Sequence, residues 1–506
     1  MIDFGHAYTA LTMLFEPYVF AVIMGASLYG LFVGSMPGLT ATMAAALLVP
    51  VTFFMDPVPA LAAMVAMEAM AIFAGDIPGT LLRIPGTPSS AAYVDDSFAL
   101  TKQGKASFVM GIDVTASAIG GVFGALVLIC LAPILAEFAL KFSSFEYFWL
   151  ACIGLSCAVM ISSGSTTKAM LSLLIGLSIN CIGMDITLGY PRFTFGIMAL
   201  LDGFSFIPAM IGMFGIAEIM RNVVVQDSDV GKVIVQTGNI FKGVAGTLLR
   251  HWKQMFRSAT IGTAIGILPG AGADIAAWVS YGVARRCSKI PEKYGTGEIE
   301  GIVNATTANN ASLGGAWVPA LVFGIPGDSI TAIIIGVLYM KDLRPGPGIF
   351  ERNPEIVYAV YLTFILANLL LIPFGWAAIK ISTKVLRVPR NMLYPVVLIF
   401  CIVGAYAINN STFDVMVMLG LGVLAYFMDN NGLPVAPAIL GMVLGNLLEE
   451  SFMQSMMKAD WSFLAFFERP IAAGLGILAI FVWLSPLFLP IIKKQLGLGK
   501  MPEGLS

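Results

Sequence analysis

The chain has 506 residues, of which 58% are hydrophobic and only 11% are charged. Soluble domains carry about 25% charged residues, so this composition excludes a soluble globular protein and indicates an integral membrane protein. The net charge of −2 and the two histidines argue against nucleic-acid binding and against a histidine-rich metal site. Uncharged stretches long enough for a membrane-spanning helix include 17–55, 114–136, 147–167, 356–379, 391–413 and 470–492.

The apolar segments predict an all-α polytopic membrane protein with about 11–14 membrane elements. They fall at about 17–55, 57–75, 108–136, 145–182, 193–220, 258–284, 301–340, 356–379, 391–408, 411–428, 432–448 and 470–492. A polar connector, 221–257, separates a first half, 1–220, from a second half, 258–506. This connector carries several basic residues, so the positive-inside rule places it in the cytoplasm and the N-terminus outside.

Proline-glycine pairs interrupt the apolar segments at matching places in the two halves. Pro37-Gly38 and Pro269-Gly270 lie 232 residues apart, and Pro85-Gly86 and Pro326-Gly327 lie 241 residues apart. Because proline breaks the hydrogen-bond ladder of a helix and glycine permits a reversal, we expect broken helices or re-entrant hairpins here. Matching interruptions in two halves are typical of secondary transporters, whose binding sites lie at such breaks. We expect the two related halves to be inverted repeats.

Polar side chains follow each break within otherwise apolar sequence. A broken helix exposes backbone N–H groups, which attract carboxylates, and backbone C=O groups, which can hold Na⁺. The residues expected to bind an organic anion are Pro37, Gly38, Thr40, Arg83, Pro85, Gly86, Thr87, Ser89, Ser90, Pro269, Gly270, Asn309, Asn310, Pro326 and Gly327. Charged residues inside a membrane are costly and therefore indicate functional sites. Together with two neighbouring hydroxyl residues, they give the candidates for ion coupling: Asp76, Asp274, Asp328, Ser329 and Thr331.

Three of these charged residues have a second interpretation. The planar guanidinium of Arg83 suits a substrate carboxylate, but an ion pair with Asp76 or Glu68 would make it structural. Asp274 and Asp328 follow breaks and are therefore also candidates for helix N-caps. The sequence contains neither a phosphate-binding loop nor a catalytic triad, so we predict no enzyme activity and no cofactor. The expected driving force is a gradient of Na⁺ or H⁺, with no metal other than Na⁺.

Motifs spread over nearly the whole chain match those of a known family. They are Gly30 to Leu39, Leu47 to Phe53, Ile84 to Ser89, Asp96 with Lys102 to Ala106, Arg192 to Gly196 with Asp202-Gly203, Gly212 to Glu218, Gly266 to Gly270, Tyr294 to Gly301, Ala308 to Ala311, Gly324 to Gly327, Leu343 to Pro347, and Pro437 to Glu450. With these motifs the chain resembles the large membrane subunit of the tripartite tricarboxylate transporter family (TctA type).

The resemblance implies a translocating subunit in the lipid bilayer of the bacterial cytoplasmic (inner) membrane. It implies two partners, a small four-helix membrane subunit and a periplasmic solute-binding protein, and import of tri-, di- or aromatic carboxylates. The chain departs from the family pattern at Asp76 and Arg83, where Ser and Asn are common, and at Thr306, where Glu is common. These departures indicate that the substrate or the coupling ion of this chain differs from that of typical family members. The alternative is a stand-alone ion-coupled transporter or channel for another small solute.

Overall fold

A computed structural model describes residues 4–36, 39–161, 165–185, 189–224, 238–385 and 390–495. The helices of the first half are α1 (Phe4–Leu14), α2 (Pro17–Gly34), α3 (Ala41–Phe53), α4 (Pro57–Ala74), α5 (Asp76–Leu82), α6 (Val94–Lys102), α7 (Ala106–Ala139), α8 (Ser144–Ile161), α9 (Thr166–Asn180), α10 (Phe206–Met210) and α11 (Ala217–Val224). A π-helical stretch, Ile211–Ile216, joins α10 to α11.

From the connector onward, the helices are α12 (Val244–Arg250), α13 (Trp252–Gly266), α14 (Gly272–Cys287), α15 (Ile299–Phe323), α16 (Ser329–Met340), α17 (Ile349–Arg352), α18 (Pro354–Val385), α19 (Arg390–Asn409), α20 (Thr412–Asn430), α21 (Val435–Lys458) and α22 (Pro470–Gln495). Short 3₁₀ turns occupy Ser90–Ala92, Met198–Leu200, Pro291–Lys293 and Phe463–Phe467. Strands β1 (Gly183–Met184) and β2 (Pro191–Arg192) pair antiparallel, with Gly183 opposite Arg192.

Six helical stretches are long and apolar enough to cross a membrane, and the predicted all-α class is confirmed. They are Pro17–Gly34, Pro57–Leu82, Ala106–Ala139, Pro354–Ser382, Thr412–Asn430 and Val435–Lys458. Shorter apolar helices are Ala41–Phe53, Ser144–Met160, Ser329–Met340, Tyr394–Asn409 and Pro470–Trp483. The described ranges therefore hold six candidate membrane spans and five shorter apolar helices.

The helices end at the proline-glycine pairs, as the sequence predicts. Around Pro269-Gly270, α13 ends at Gly266 and α14 begins at Gly272. These helices contain 15 and 16 residues, so each rises about 23 Å, less than the ~30 Å thickness of a hydrocarbon core. They also pack against one another. Of the two expected forms, a broken helix or a re-entrant hairpin, this geometry favours the hairpin at Pro269-Gly270.

Two helices, α4 and α15, occupy the centre of the protein, and nearly all their residues are buried. Within the first half α2 packs on α4, and within the second half α13 and α14 pack on α15. The long helix α7 of the first half lies along α15, whereas α18 of the second half lies along α4. Each half therefore supplies an outer helix to the central helix of the other half.

Glycines on α2 bring its backbone directly against α4. A Cβ atom at Gly30 would lie 2.5 Å from the carbonyl oxygen of Met67, and one at Gly34 would lie 2.4 Å from that of Ala71. No side chain fits at such a distance, so both positions require glycine. Small residues of this kind permit the close backbone packing that holds helices together in a membrane.

The same contacts recur between α13 and α15. A Cβ at Gly262 would lie 2.3 Å from the carbonyl oxygen of Ala308, and one at Gly266 would lie 2.2 Å from that of Ser312. The glycines follow their first-half counterparts by 232 residues, and their contact partners follow by 241 residues. These are the separations found between the proline-glycine pairs, so the packing repeats in the register of the sequence.

A Gly30→Ala substitution is expected to lower the melting temperature of the detergent-purified chain by several degrees. The added methyl group would collide with backbone, and overpacking of this kind costs about 1–3 kcal/mol. Gly25→Ala on the same helix is the matched control, because nothing lies within 4 Å of a Cβ at Gly25. Equal melting temperatures for the two variants would contradict the close approach of α2 to α4.

Candidate functional site

The break after α5 is closed by local hydrogen bonds. Arg83 ends the helix in a left-handed conformation with φ of 60°. The N–H of Ile84 then donates to the carbonyl of Pro78 at 3.4 Å. Thr87 and Ser90 cap each other, since each backbone N–H donates to the hydroxyl oxygen of the other residue at 3.2 Å. These bonds satisfy backbone groups that a broken helix leaves without partners.

The break after α15 has the same construction. Gly324 ends the helix with φ of 69°, and the N–H of Ile325 donates to the carbonyl of Pro319 at 3.2 Å. Asp328 caps α16, accepting from the N–H of Thr331 at 2.8 Å, while the N–H of Asp328 donates to the Thr331 hydroxyl at 2.9 Å. The N-cap interpretation of Asp328 is therefore confirmed.

The likeness between these two breaks extends beyond the matched proline-glycine pairs, which belong to the triplets Ile84-Pro85-Gly86 and Ile325-Pro326-Gly327. The helix-terminating residue, the proline that accepts the return bond and both capping residues follow their first-half counterparts by 241 residues. Sequence reasoning missed the cap at Thr87 because its second-half counterpart is an aspartate. The available signal was a pair of capping side chains three residues apart after each triplet.

The other two breaks lie between α2 and α3 and between α13 and α14. Thr40 caps α3, its hydroxyl oxygen accepting from the N–H of Met43 at 3.1 Å. Gly270 has φ of 81°, and a Cβ there would lie 2.7 Å from the Cα of Ala158, so only glycine fits. Two predicted residues of this group, Pro37 and Gly38, lie outside the described residues.

All four breaks contribute to one cavity with a volume of about 90 Å³. Helices α3, α14 and α16 all begin at its wall. The cavity is lined by Thr40, Ala41, Thr42, Ile72, Thr87, Pro88, Gly270, Ala271, Gly272, Ala273, Asp274, Asp328, Ser329 and Ile330. Segments more than 200 residues apart in the chain thus meet at a single polar site.

The cavity combines groups suited to anions with groups suited to cations. Helix N-termini carry partial positive charge and attract carboxylates, whereas Asp274 and Asp328 bring acidic side chains to the same wall. The carboxylate of Asp274 accepts from the N–H of Ser89 at 3.1 Å. This bond crosses from the second half to the first and ties two of the breaks together.

Not every predicted site residue lines the cavity. Those on its wall are Thr40, Thr87, Gly270, Asp274, Asp328 and Ser329. Those placed elsewhere are Arg83, Pro85, Gly86, Ser89, Ser90, Pro269, Asn309, Asn310, Pro326, Gly327, Thr331 and Asp76. Several of the second group shape the breaks: the N–H of Gly86, for example, donates to the carbonyl of Gly75 at 3.1 Å.

Arg83 pairs with a carboxylate that the sequence analysis did not consider. Its guanidinium lies 2.7 Å from the carboxylate of Asp95, and both side chains are more than half exposed. The suggested ion pairs with Asp76 and Glu68 are not formed, because both of those carboxylates are buried elsewhere. Glu68 instead accepts from the indole N–H of Trp317 at 2.9 Å.

Sequence reasoning also missed Asp96 as a link between the halves. One oxygen of its buried carboxylate accepts from the backbone N–H groups of Gly295, Gly297 and Glu298 at 2.7–2.8 Å. The other oxygen accepts from the hydroxyl of Tyr281 at 2.7 Å. Asp96 and the segment from Tyr294 to Gly301 both belong to motifs of the family resemblance, but nothing in the sequence indicates that they are in contact.

Comparison with known proteins identifies the family. The family model described as the tripartite tricarboxylate transporter TctA family matches residues 20–440. The chain belongs to this family. It is therefore a multi-pass membrane component of a tricarboxylate transporter, and its family belongs to tripartite systems that include partner subunits.

Two proteins of Agrobacterium vitis are similar to this chain. An uncharacterized 52.8 kDa protein in the TAR-I ttuC' 3' region is 33% identical over 467 residues, covering 91% of this chain and 92% of that protein. An uncharacterized protein in the TAR-II ttuC' 3' region is 36% identical over 228 residues, covering 44% of this chain and 94% of that protein. No solved structure matches the chain.

An Asp96→Ala substitution is expected to destabilise the protein strongly. It removes the charged acceptor of three backbone N–H groups, and leaving buried donors unpaired costs about 1–3 kcal/mol for each group. Thermal unfolding in detergent should show a large drop in melting temperature or a loss of folded protein. Asp95→Ala is the control, because exposed ion pairs contribute about 0–1 kcal/mol. Similar stability of the two variants would contradict the role assigned to Asp96.

Proposed function

We propose that this chain is the translocating subunit of a binding-protein-dependent secondary transporter that imports tri-, di- or aromatic carboxylates. The observation that carries the proposal is the convergence of four helix breaks on one polar cavity. Breaks in membrane helices survive only where protein or a water-filled cavity satisfies the backbone. Their meeting at one point is the arrangement that a substrate site in a secondary transporter requires.

The substrate is an organic anion whose carboxylates contact the N-terminal ends of α3, α14 and α16 and the hydroxyls of Thr40, Thr87 and Ser329. The described cavity of about 90 Å³ is smaller than the ~300–1,000 Å³ of pockets that enclose drug-sized ligands. We therefore infer that the cavity widens on one side when the substrate enters. The breaks supply the flexible points for such a movement.

The driving force is a gradient of Na⁺ or H⁺, with Asp274 and Asp328 as cavity residues able to interact with a cation. The two halves are inverted repeats, a proposal supported by glycine contacts and caps that recur with separations of 232 and 241 residues. The partners are a small four-helix membrane subunit and a periplasmic solute-binding protein. The location is the bacterial inner membrane.

Uptake into proteoliposomes tests this function. The vesicles contain the chain and its small-subunit partner, and labelled di-, tri- and aromatic carboxylates are offered under an inward Na⁺ or H⁺ gradient. Saturable, gradient-driven uptake that needs the periplasmic protein is the expected result. Uptake without that protein would favour a stand-alone transporter, and unsaturable flux would favour a channel. No uptake of any carboxylate would overturn the proposed substrate class.

Asp274→Asn is expected to reduce uptake at least about tenfold while the protein still reaches the membrane. The amide oxygen of Asn can still accept from Ser89, so the change removes charge from the cavity and preserves the contact. Asp414→Asn is the matched control, since Asp414 is a buried carboxylate outside the cavity that accepts from Asn409 at 2.7 Å. Unchanged uptake in Asp274→Asn would remove this residue from the site.

We also propose Arg83, which lies outside the cavity wall, as a substrate ligand. Its guanidinium is more than half exposed and its ion pair with Asp95 is a surface pair, so a substrate carboxylate can replace Asp95 at low cost. Arg83→Ala should therefore raise the KM for uptake, whereas Asp95→Ala should leave the KM unchanged or lower it. An unchanged KM in Arg83→Ala would show that the guanidinium serves only the surface pair.

A further inference from the structure

Two pairs of elements lead away from the cavity, and each pair joins the two halves of the chain. Helix α3 of the first half packs against α16 of the second half. Helix α14 of the second half packs against the 3₁₀ turn Ser90–Ala92, which leads into α6 of the first half. In the registers of 232 and 241 residues, α14 corresponds to α3, and α16 corresponds to this turn with α6. The same pair therefore occurs twice, with the halves exchanged.

The two pairs end on opposite sides of the protein. On the connector side, α6 leads directly into α7, where the hydroxyl of Ser107 accepts from the N–H of connector residue Gly238 at 3.2 Å. The end of α16 leads instead through α17 into α18. From its start, α18 rises about 38 Å before Ile379 joins connector residue Ile240 in one hydrophobic cluster. The end of α16 thus lies on the far side, away from the connector.

Lys341 holds the far-side pair together. It lies immediately after α16, and its ammonium donates to the carbonyl of Phe53 at 2.7 Å and to that of Met55 at 2.5 Å. Helix α3 ends at Phe53, and the last carbonyls of a helix lack partners within it and attract cations. The same ammonium lies 5.8 Å from the centre of the Phe53 ring, within the range of cation–π attraction. A second-half side chain thus fastens the end of a first-half helix.

Tyr281 and Trp278 of α14 hold the connector-side pair together. The hydroxyl of Tyr281 donates to the carboxylate of Asp96 at 2.7 Å. The indole N–H of Trp278 donates to the carbonyl of Pro88 at 3.1 Å. Pro88 and Asp96 lie on either side of the turn Ser90–Ala92. Matched pairs of elements are therefore fastened on opposite sides by different side chains.

We propose that these contacts latch two gates, with Lys341 closing the far side of the cavity and Tyr281 with Trp278 closing the connector side. The role of the gates rests on the proposed transport function. Helices α3, α14 and α16 each begin at the cavity wall, beside a break. They contain only 12–16 residues, so each can turn about its break when its other end is released. Releasing one latch at a time opens the cavity to one side at a time, which distinguishes a transporter from a channel.

Sided labelling of a cysteine on the cavity wall tests the gates. The parent is the full chain with Thr42→Cys, since Thr42 lines the cavity, and the chain without this substitution is the blank for the native cysteines. A membrane-impermeant maleimide is applied to right-side-out and to inside-out membrane vesicles. The rate of labelling from each side reports the fraction of molecules open to that side.

Each latch variant should open one side only. Lys341→Met removes the donors at similar side-chain length, and it should speed labelling from the far side at least about threefold, because the rate follows the open fraction. Labelling from the connector side should not rise. Tyr281→Phe combined with Trp278→Phe keeps two aromatic rings without their donors, and it should speed labelling from the connector side alone.

Lys168→Met is the matched control, since the ammonium of Lys168 also donates to a backbone carbonyl, that of Asn431 at 2.7 Å, but belongs to neither gate. It should label at the parent rate from both sides. Lys341→Arg keeps the charge and the donors and should also match the parent. If Lys341→Met does not fold, Lys341→Gln supplies the same test with a neutral side chain. Unchanged labelling in both latch variants, or equal increases from both sides, would overturn the gates.

The outcome is separable from the proposed function, because labelling needs no substrate, gradient or partner. Sided labelling in a chain that transports no carboxylate would keep the gates and reject the substrate class. Intact gradient-driven uptake without any sided change in the latch variants would reject the gates and keep the transporter.

Discussion

The need to satisfy backbone hydrogen bonds inside an apolar protein governs this structure. A helix break in such surroundings leaves N–H and C=O groups without water to bind them, and each costs several kcal/mol if it stays unpaired. The chain meets this need with reciprocal caps, at Thr87 with Ser90 and at Asp328 with Thr331. It also uses return bonds to the carbonyls of Pro78 and Pro319. With these backbone groups paired, the N-terminal ends of α3, α14 and α16 lie at the wall of one cavity.

Close backbone packing holds these breaks in position. Lipid tails are as apolar as leucine, so helices in a membrane gain little from hydrophobic burial and depend on contact at short range. The glycines of α2 and α13 supply that contact by setting backbone directly on backbone along α4 and α15. Because the breaks after α2 and α13 lie a few residues beyond these glycines, their distance from the central helices is fixed by the same packing. The crossed pairing of α7 with α15 and of α18 with α4 then makes the halves dependent on one another.

The sequence predicts the local features well and the long-range contacts poorly. Composition gives the membrane class, and proline-glycine pairs mark where helices end, because both depend on nearby residues. The Asp96 contacts with residues 295–298 and the bond from Ser89 to Asp274 join residues about 200 positions apart. No pattern in a single sequence records such contacts. A nearer contact was missed as well, since the partner of Arg83 is Asp95 in the first turn of α6 and not an acidic residue in the interior.

The two halves share a backbone frame but carry different side chains at matched positions. Where the second half has Asp274 and Asp328, the first half has Thr42 and Thr87, and all four line the cavity. Acidic groups at every matched position would repel an organic anion, whereas hydroxyls at every position would give a cation no countercharge. The observed mixture of hydroxyls and carboxylates is what the proposed binding of an anion and a cation in one cavity requires. The glycines and caps constrain the backbone in the same way in both halves, whereas the side chains at matched positions differ and bring hydroxyls to one side of the cavity and carboxylates to the other.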